Sequence, residues 1–214
     1  VGRWPATGPP TTSRTMSTTN TENPTLTKLL DAAEEQMLSC GYVAASIDGI
    51  CTAAGVTKGS FFHYFKSKEE LGKVLLERFG NRQQERFMDA CTGIADPLER
   101  VYKIIETAIQ SCQSPDMKGC LIGTFAQEIS ETHPELREIC KCSFEGFATG
   151  MGADLTAAKE LYAKGASFDA ASLGAYFLSV IQGSMLLMRT NGDGEAMALN
   201  LEHFREYLRS LYGR

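Results

Sequence analysis

The sequence lacks any apolar run close to the roughly 20 residues that a membrane-spanning helix needs, so no membrane partner is expected. It also lacks a P-loop and a dinucleotide fingerprint. Its three histidines, His63, His133 and His203, stand in no recognisable catalytic motif, which argues against an enzyme. Beyond residue 80 there is neither strand alternation nor an internal repeat, and the apolar spacing is helical almost throughout, which predicts an all-α chain. Positive charge is scarce as well. With a formal net charge of −5 and a pI near 5.3, the chain does not coat nucleic acid, and any DNA binding must rest on where a few cations stand. Seven cysteines, an odd number without a secretion signal, are expected to be free thiols in a reducing cytoplasm.

What is present begins with a tail, residues 1–24, rich in Pro, Thr, Ser and Gly and without an apolar h-region; it is expected to be disordered, with Met16 a candidate start. The most informative stretch runs from Ser46 to Lys68, SIDGICTAAGVTKGSFFHYFKSK. Ser46 can cap a helix ending at Ala54, Gly55 supplies the positive φ of a tight turn, and Thr57 can cap a second helix from Lys58 to Phe65. Ile47, Ile50, Ala54, Val56, Phe61 and Phe65 would fix the angle between the two. From Thr57 to Lys68 there are three lysines and no acid, although residues 25–80 as a whole hold six bases and seven acids. Charge is focused on one short helix, together with the donors Thr57, Ser60, His63 and Tyr64. Such a pattern reads DNA by shape-matched groove contacts. Phe61, Phe65 and Phe62 are read as core.

From Thr25 to about Phe79 the sequence resembles the N-terminal domain of the TetR family of bacterial one-component regulators, AcrR-type. The likeness rests on Gly41-Tyr42, the Ser46 cap, Ala53-Ala54-Gly55-Val56, Lys58-Gly59-Ser60-Phe61-Phe62-His63-Tyr64-Phe65 and Ser67-Lys68-Glu69-Glu70-Leu71. Where relatives often carry tyrosine, Phe62 has no hydroxyl. The resemblance implies a homeodomain-like helix-turn-helix domain over residues 25–80, followed by a helical effector-binding and dimerisation domain over 81–214. It further implies that Thr57, Lys58, Gly59, Ser60, His63 and Tyr64 face the major groove or its phosphates, with Ser46 and Lys68 clamping the backbone on either side.

The remaining helices are expected over 67–91, from Asp96-Pro97 to Cys112, from Met117 to Thr132, from Pro134 to Ala163, from an Asp169 cap to Thr190, and from Glu195 to Tyr212, with Ser114-Pro115-Asp116 a break. The last two carry apolar residues at 4-3-4-3 spacing. Phe177, Val180, Ser184, Leu201, Phe204 and Leu208 are the candidate dimer seam, with Gly174 and Gly183 permitting close approach; intramolecular core is the competing reading. In the family resembled, these helices build a four-helix bundle between two subunits, and a two-fold dimer suits a palindromic operator.

Tyr102, Cys120, Phe125, Phe144, Phe147 and Tyr176 are candidate walls of an effector pocket for a small apolar, aromatic or electrophilic molecule. Lys118-Gly119-Cys120-Leu121-Ile122-Gly123 resembles a stretch in one branch of the family. With Asp116 as a cap, Cys120 would sit in the first turns of its helix beside Lys118, where a thiolate is favoured; a small buried hydrophobe is the blander alternative. Cys140-x-Cys142 points to opposite helix faces, and no metal or cofactor is expected. The sequence therefore predicts a cytoplasmic, homodimeric repressor of double-stranded operator DNA released by a small molecule. The alternative is a helical small-molecule or thiol sensor with degenerate DNA binding.

Overall fold

A computed structural model describes residues 23–114, 117–129 and 131–214. The expectations for residues 1–22 of the 1–24 tail, for Met16 and for Asp116 as a cap lie outside the described residues, whereas Asn23 and Pro24, expected at the end of that tail, are the cap and first residue of a helix. Among these there are nine helices and no strand: α1 Pro24–Ala44, α2 Ile47–Ala54, α3 Lys58–Tyr64, α4 Lys68–Ala90, α5 Pro97–Cys112, α6 Leu121–Ile129, α7 Pro134–Tyr162, α8 Ser172–Asn191 and α9 Glu195–Tyr212. No described helix is long and apolar enough to cross a membrane.

Local chemistry sets the helix ends. Asn23 caps α1 by accepting from Thr25 N–H at 3.0 Å, with Pro24 at the first position, where its missing N–H costs nothing. Asp96 does the same for α5, accepting from Leu98 and Glu99, again with proline following. α6 is shorter than expected. Gly119 turns the backbone at φ 114°, and the helix starts only at Leu121. Ahead of α8, Asp169 accepts from the N–H groups of Ala171 and Ser172, although Ala171 holds the cap position itself.

The chain divides into two compact units, and the division differs from the one expected at residue 80. The first holds residues 23–81 together with 120–143, so α6 and the start of α7 belong with the helix-turn-helix. Its interior is built from Leu29, Ala33 and Met37 of α1, Ile50, Phe61 and Phe65, Leu71 and Leu75 of α4, and Leu121, Phe125 and Leu136. The second holds residues 82–119 and 144–214. Its core joins Leu98, Val101, Ile104 and Ile105 of α5 to Met151 and Leu155 of α7, Phe177 and Ile181 of α8, and Met197, Leu201, Phe204 and Leu208 of α9. Arg100 and Asp154 are ion-paired across α5 and α7, with Arg100 Nε donating to Asp154 Oδ2 at 3.1 Å.

Candidate nucleic-acid interface

The two short helices are held in a fixed relation. Ser46 accepts from Gly49 N–H at 3.0 Å to start α2, Gly55 ends it at φ 66°, and Thr57 accepts from Ser60 N–H at 3.1 Å to start α3. Each cap is worth about 1 kcal/mol. The inner side of α3 is locked by Phe61, which is fully buried, and by Phe65 just beyond the helix. Lys58, Gly59, Phe62 and His63 are exposed on the other side, with Tyr64 and Ser60 half-buried at its margin. His63 and Tyr64 meet edge to face, ring centroids 4.9 Å apart.

Phe62 departs from the core reading. It is 54% exposed, in edge contact with Phe61, and presents a bare ring to the side occupied by Lys58 and His63. The signal that identifies it is its place in the sequence: with Phe61 and Phe65 turned inward at i and i+4, the residue one after Phe61 must turn away.

Of the three lysines, two stay outside. Lys58 pairs with Asp48 at 2.6 Å, but both side chains are well exposed, so this pair is weak and its cation remains exchangeable. Lys66 is exposed, and its backbone N–H is taken by Glu70 at 2.6 Å. Lys68 turns inward, unlike the backbone clamp expected of it. Its ammonium donates to the carbonyls of Tyr42, Val43 and Ala45 at 3.0, 3.2 and 2.9 Å, and burial lowers its pKa from the ordinary value against the opposing pull of Glu128. It stitches the start of α4 to the end of α1.

The expected effector residues fall in different surroundings. Phe125 is fully buried against Tyr42, centroids 4.9 Å apart, in the unit that carries the helix-turn-helix. Cys120 stands just ahead of α6, half-buried, where its sulfur accepts from Gly123 N–H at 3.4 Å. In the other unit Phe147 packs between Phe87 and Phe177 at 5.7 and 5.9 Å, and Phe144 is half-buried. Tyr102 instead lines an open, charged cleft of about 790 Å³ with Lys103, Glu106, Arg205 and Arg209. Tyr176 is half-exposed on the outer side of α8 and α9, in edge contact with Phe204 and Tyr207.

Burial puts most of the expected dimer seam inside one chain. Phe177, Ser184, Leu201, Phe204 and Leu208 are all at most 3% exposed within one chain, because the 4-3-4-3 stripe that suggested a seam is the stripe that closes the chain's own core. Val180 alone of the six is partly open, and together with Ser184 and Phe204 of the same set it lines a groove of about 370 Å³ with Tyr176, Gly183, Leu187, Asn200 and His203. Tyr207, in ring contact with Tyr176 and Phe204 of that groove, is exposed too, as is Leu199 of α9.

Comparison with known proteins places this architecture. Residues 29–74 match the family of bacterial regulatory proteins, tetR family, and residues 97–203, half the chain, match the C-terminal domain of LmrA/YxaF-like transcriptional regulators. The HTH-type transcriptional regulator YxaF of Bacillus subtilis (strain 168) is 28% identical over 178 residues, spanning 82% of this chain and 90% of its own. The transcriptional repressor NemR of Escherichia coli (strain K12) is 29% identical over 120 residues, 55% of this chain and 60% of the repressor's length. A crystal structure of the regulatory protein TetR from Rhodobacter sphaeroides superposes with a TM-score of 0.77 at 23% identity, covering 85% of this chain and 97% of the other. With a tetR-family match over residues 29–74, which hold the capped helix-turn-helix, and a second family match over half the chain, the chain belongs to the TetR family of DNA-binding transcriptional regulators.

Proposed function

We propose that the chain is a cytoplasmic, homodimeric repressor that grips a palindromic operator with α3 and leaves it when a small apolar, aromatic or electrophilic molecule engages the C-terminal half. One observation carries the operator reading: Lys58, Gly59, Phe62 and His63 are exposed on a helix whose other side is locked into the core by Phe61 and Phe65. Polar and cationic groups on that side have no packing role, and they suit phosphate and base-edge contacts in the major groove. The E. coli relative, itself a repressor, supports repression. The function is binding and release, without a catalytic step.

Release follows from population shift. A molecule that prefers the geometry with recognition helices splayed from operator spacing lowers DNA affinity by its differential binding energy, transmitted along α4. The ring cluster of Phe87, Phe147 and Phe177 offers such a molecule an apolar wall. Electrophile sensing is favoured by Cys120, half-buried at a helix start, where its sulfur receives a backbone N–H. Cys140 is its opposite, buried and pushed up to about 12, chiefly by desolvation and further by Cys120. Competitive maleimide labelling ranks the thiols, and Cys120 reacting no faster than exposed Cys40 leaves a reversible ligand as the account of release.

Gel-shift titration tests the operator reading directly. Lys58→Ala and Tyr64→Ala are each expected to cost about 1 to 3 kcal/mol of DNA affinity with unchanged melting. Wild-type affinity in both variants would remove α3 from the interface.

A further inference from the structure

Residues 41–45 link the kinked end of α1 to Ser46, the cap of α2, and they are gripped from two sides. From α6, the Glu128 carboxylate accepts from Val43 N–H at 3.0 Å. The same carboxylate fills the space beside Gly41, where φ is 86° and a Cβ would collide with it. From α4, Lys68 donates to three carbonyls of the segment and lies 4.6 Å from the centroid of the Tyr42 ring. That ring is in turn packed by Phe125 of α6 and by His133, edge-on at 5.3 Å. Three carbonyls and one N–H of residues 41–45 are thus satisfied by one cation from α4 and one carboxylate from α6, while Ala45 N–H donates to the Gly41 carbonyl within the segment. Lys68 and α1 belong to the same N-terminal domain in sequence, but Glu128 comes from 85 residues further along the chain.

We propose that Glu128 is a positioning residue for operator binding, and that α6 sets the pose of the helix-turn-helix through this carboxylate. The turn is short and leads directly into α2, which packs on α3. A rotation of a few residues at 41–45 therefore tips the recognition helix. Gly41 is required because only a residue without a Cβ leaves room for the carboxylate at that positive φ. When α6 moves, the hook on Val43 moves with it, and the operator-reading side of α3 is displaced without any change in the residues that touch DNA. This inference rests on the reading of α3 as the operator-binding helix, and the test separates the two.

The full-length protein and a duplex enriched by it from a random library serve for the experiment, with Glu128→Ala, Glu128→Gln and Lys58→Ala compared with wild type. Glu128→Ala is expected to weaken binding by about tenfold, to leave the melting temperature and the salt dependence of binding unchanged, and to speed hydrogen exchange at the Val43 amide. Glu128→Gln, whose amide oxygen still accepts from Val43, recovers most of the affinity. Lys58→Ala, a direct phosphate contact, weakens binding and reduces the salt slope by about one. Wild-type affinity in Glu128→Ala beside a weakened Lys58→Ala overturns the hook and leaves the α3 reading standing. Loss of affinity in Glu128→Ala that only parallels a fall in melting temperature reduces Glu128 to a structural residue and overturns the proposal. Wild-type affinity and slope in Lys58→Ala overturn the α3 reading itself.

Discussion

At Gly59 a Cβ would meet only the Thr57 hydroxyl, at 3.6 Å, so nothing within the chain requires glycine there. A helix interior prefers alanine to glycine by roughly 0.5 to 1 kcal/mol. Gly59→Ala is therefore expected to leave the melting temperature equal or slightly raised. If α3 is the operator-binding helix proposed above, the variant is expected to weaken operator binding nevertheless, because the added methyl would stand between the α3 backbone and DNA. Calorimetry paired with a gel-shift titration checks both halves, and a variant that gains stability while keeping full affinity places the DNA elsewhere. Asp96 behaves differently. Desolvation pushes its carboxyl up, but hydrogen bonds from Tyr162 and from the N–H groups of Glu99 and Leu98, with Arg214 nearby, hold it below the ordinary carboxylate value. A depressed folded-state pKa gives stability that is present above the unfolded value, about 3.9, and lost as pH falls through the folded one. Asp96→Ala is expected to cost about 1 kcal/mol at pH 7, and the gap to wild type should close below pH 4 in pH-dependent thermal melts.

Two glycines of α8 separate what packing needs from what a surface leaves open. A Cβ on Gly174 would run into the Ala148 carbonyl of α7, and one on Gly152 of α7 would meet the Ala171 carbonyl, so α7 and α8 cross with backbones nearly touching. Gly174→Ala is expected to destabilise the chain by about 1 to 3 kcal/mol, since backbone cannot move aside as a side chain can, and a urea titration measures the loss. Gly183 has nothing within 4 Å of its would-be Cβ. From sequence the two glycines look alike, because spacing shows that a helix approaches something closely but not which partner it approaches. The helix-turn-helix was legible for the opposite reason: each cap acts on an N–H three residues on, its turn glycine acts on its own backbone, and Phe61 and Phe65 stand four apart. Glu128 acts on Val43 across 85 positions and carries no local mark. The inward turn of Lys68 was hidden likewise, since a lysine after a recognition helix reads as a phosphate contact until the carbonyls of Tyr42, Val43 and Ala45 are seen to surround it.

For the whole molecule, the apolar residues left uncovered on α8 and α9 bear on assembly. Tyr176, Val180, Gly183 and Leu187 follow one flank of α8 at helical spacing, and Leu199, His203 and Tyr207 follow one flank of α9. Tyr176 and Tyr207 meet edge to face at 6.0 Å, which sets the two flanks side by side around the groove. Leu187 and Tyr207, at 46% and 42% exposed, lie outside the chain's own core, whereas Leu201 and Leu208 are wholly within it. Charge placed on the flanks therefore tests assembly, and charge placed in the core tests folding. Leu187→Glu with Tyr207→Glu is expected to give a folded monomer, because a helical chain that already buries Phe177, Leu201 and Phe204 does not need the flank to stay closed. A partner subunit seated on that flank would have to desolvate two unpaired carboxylates, which is strongly unfavourable. The same variant should lose operator binding with α3 untouched, since a palindrome is held tightly only when both recognition helices engage it together. Sedimentation velocity and circular dichroism on the double variant decide the matter: a helical protein that still sediments as a dimer puts the interface on another surface, whereas a folded monomer that retains full operator affinity removes the need for the dimer.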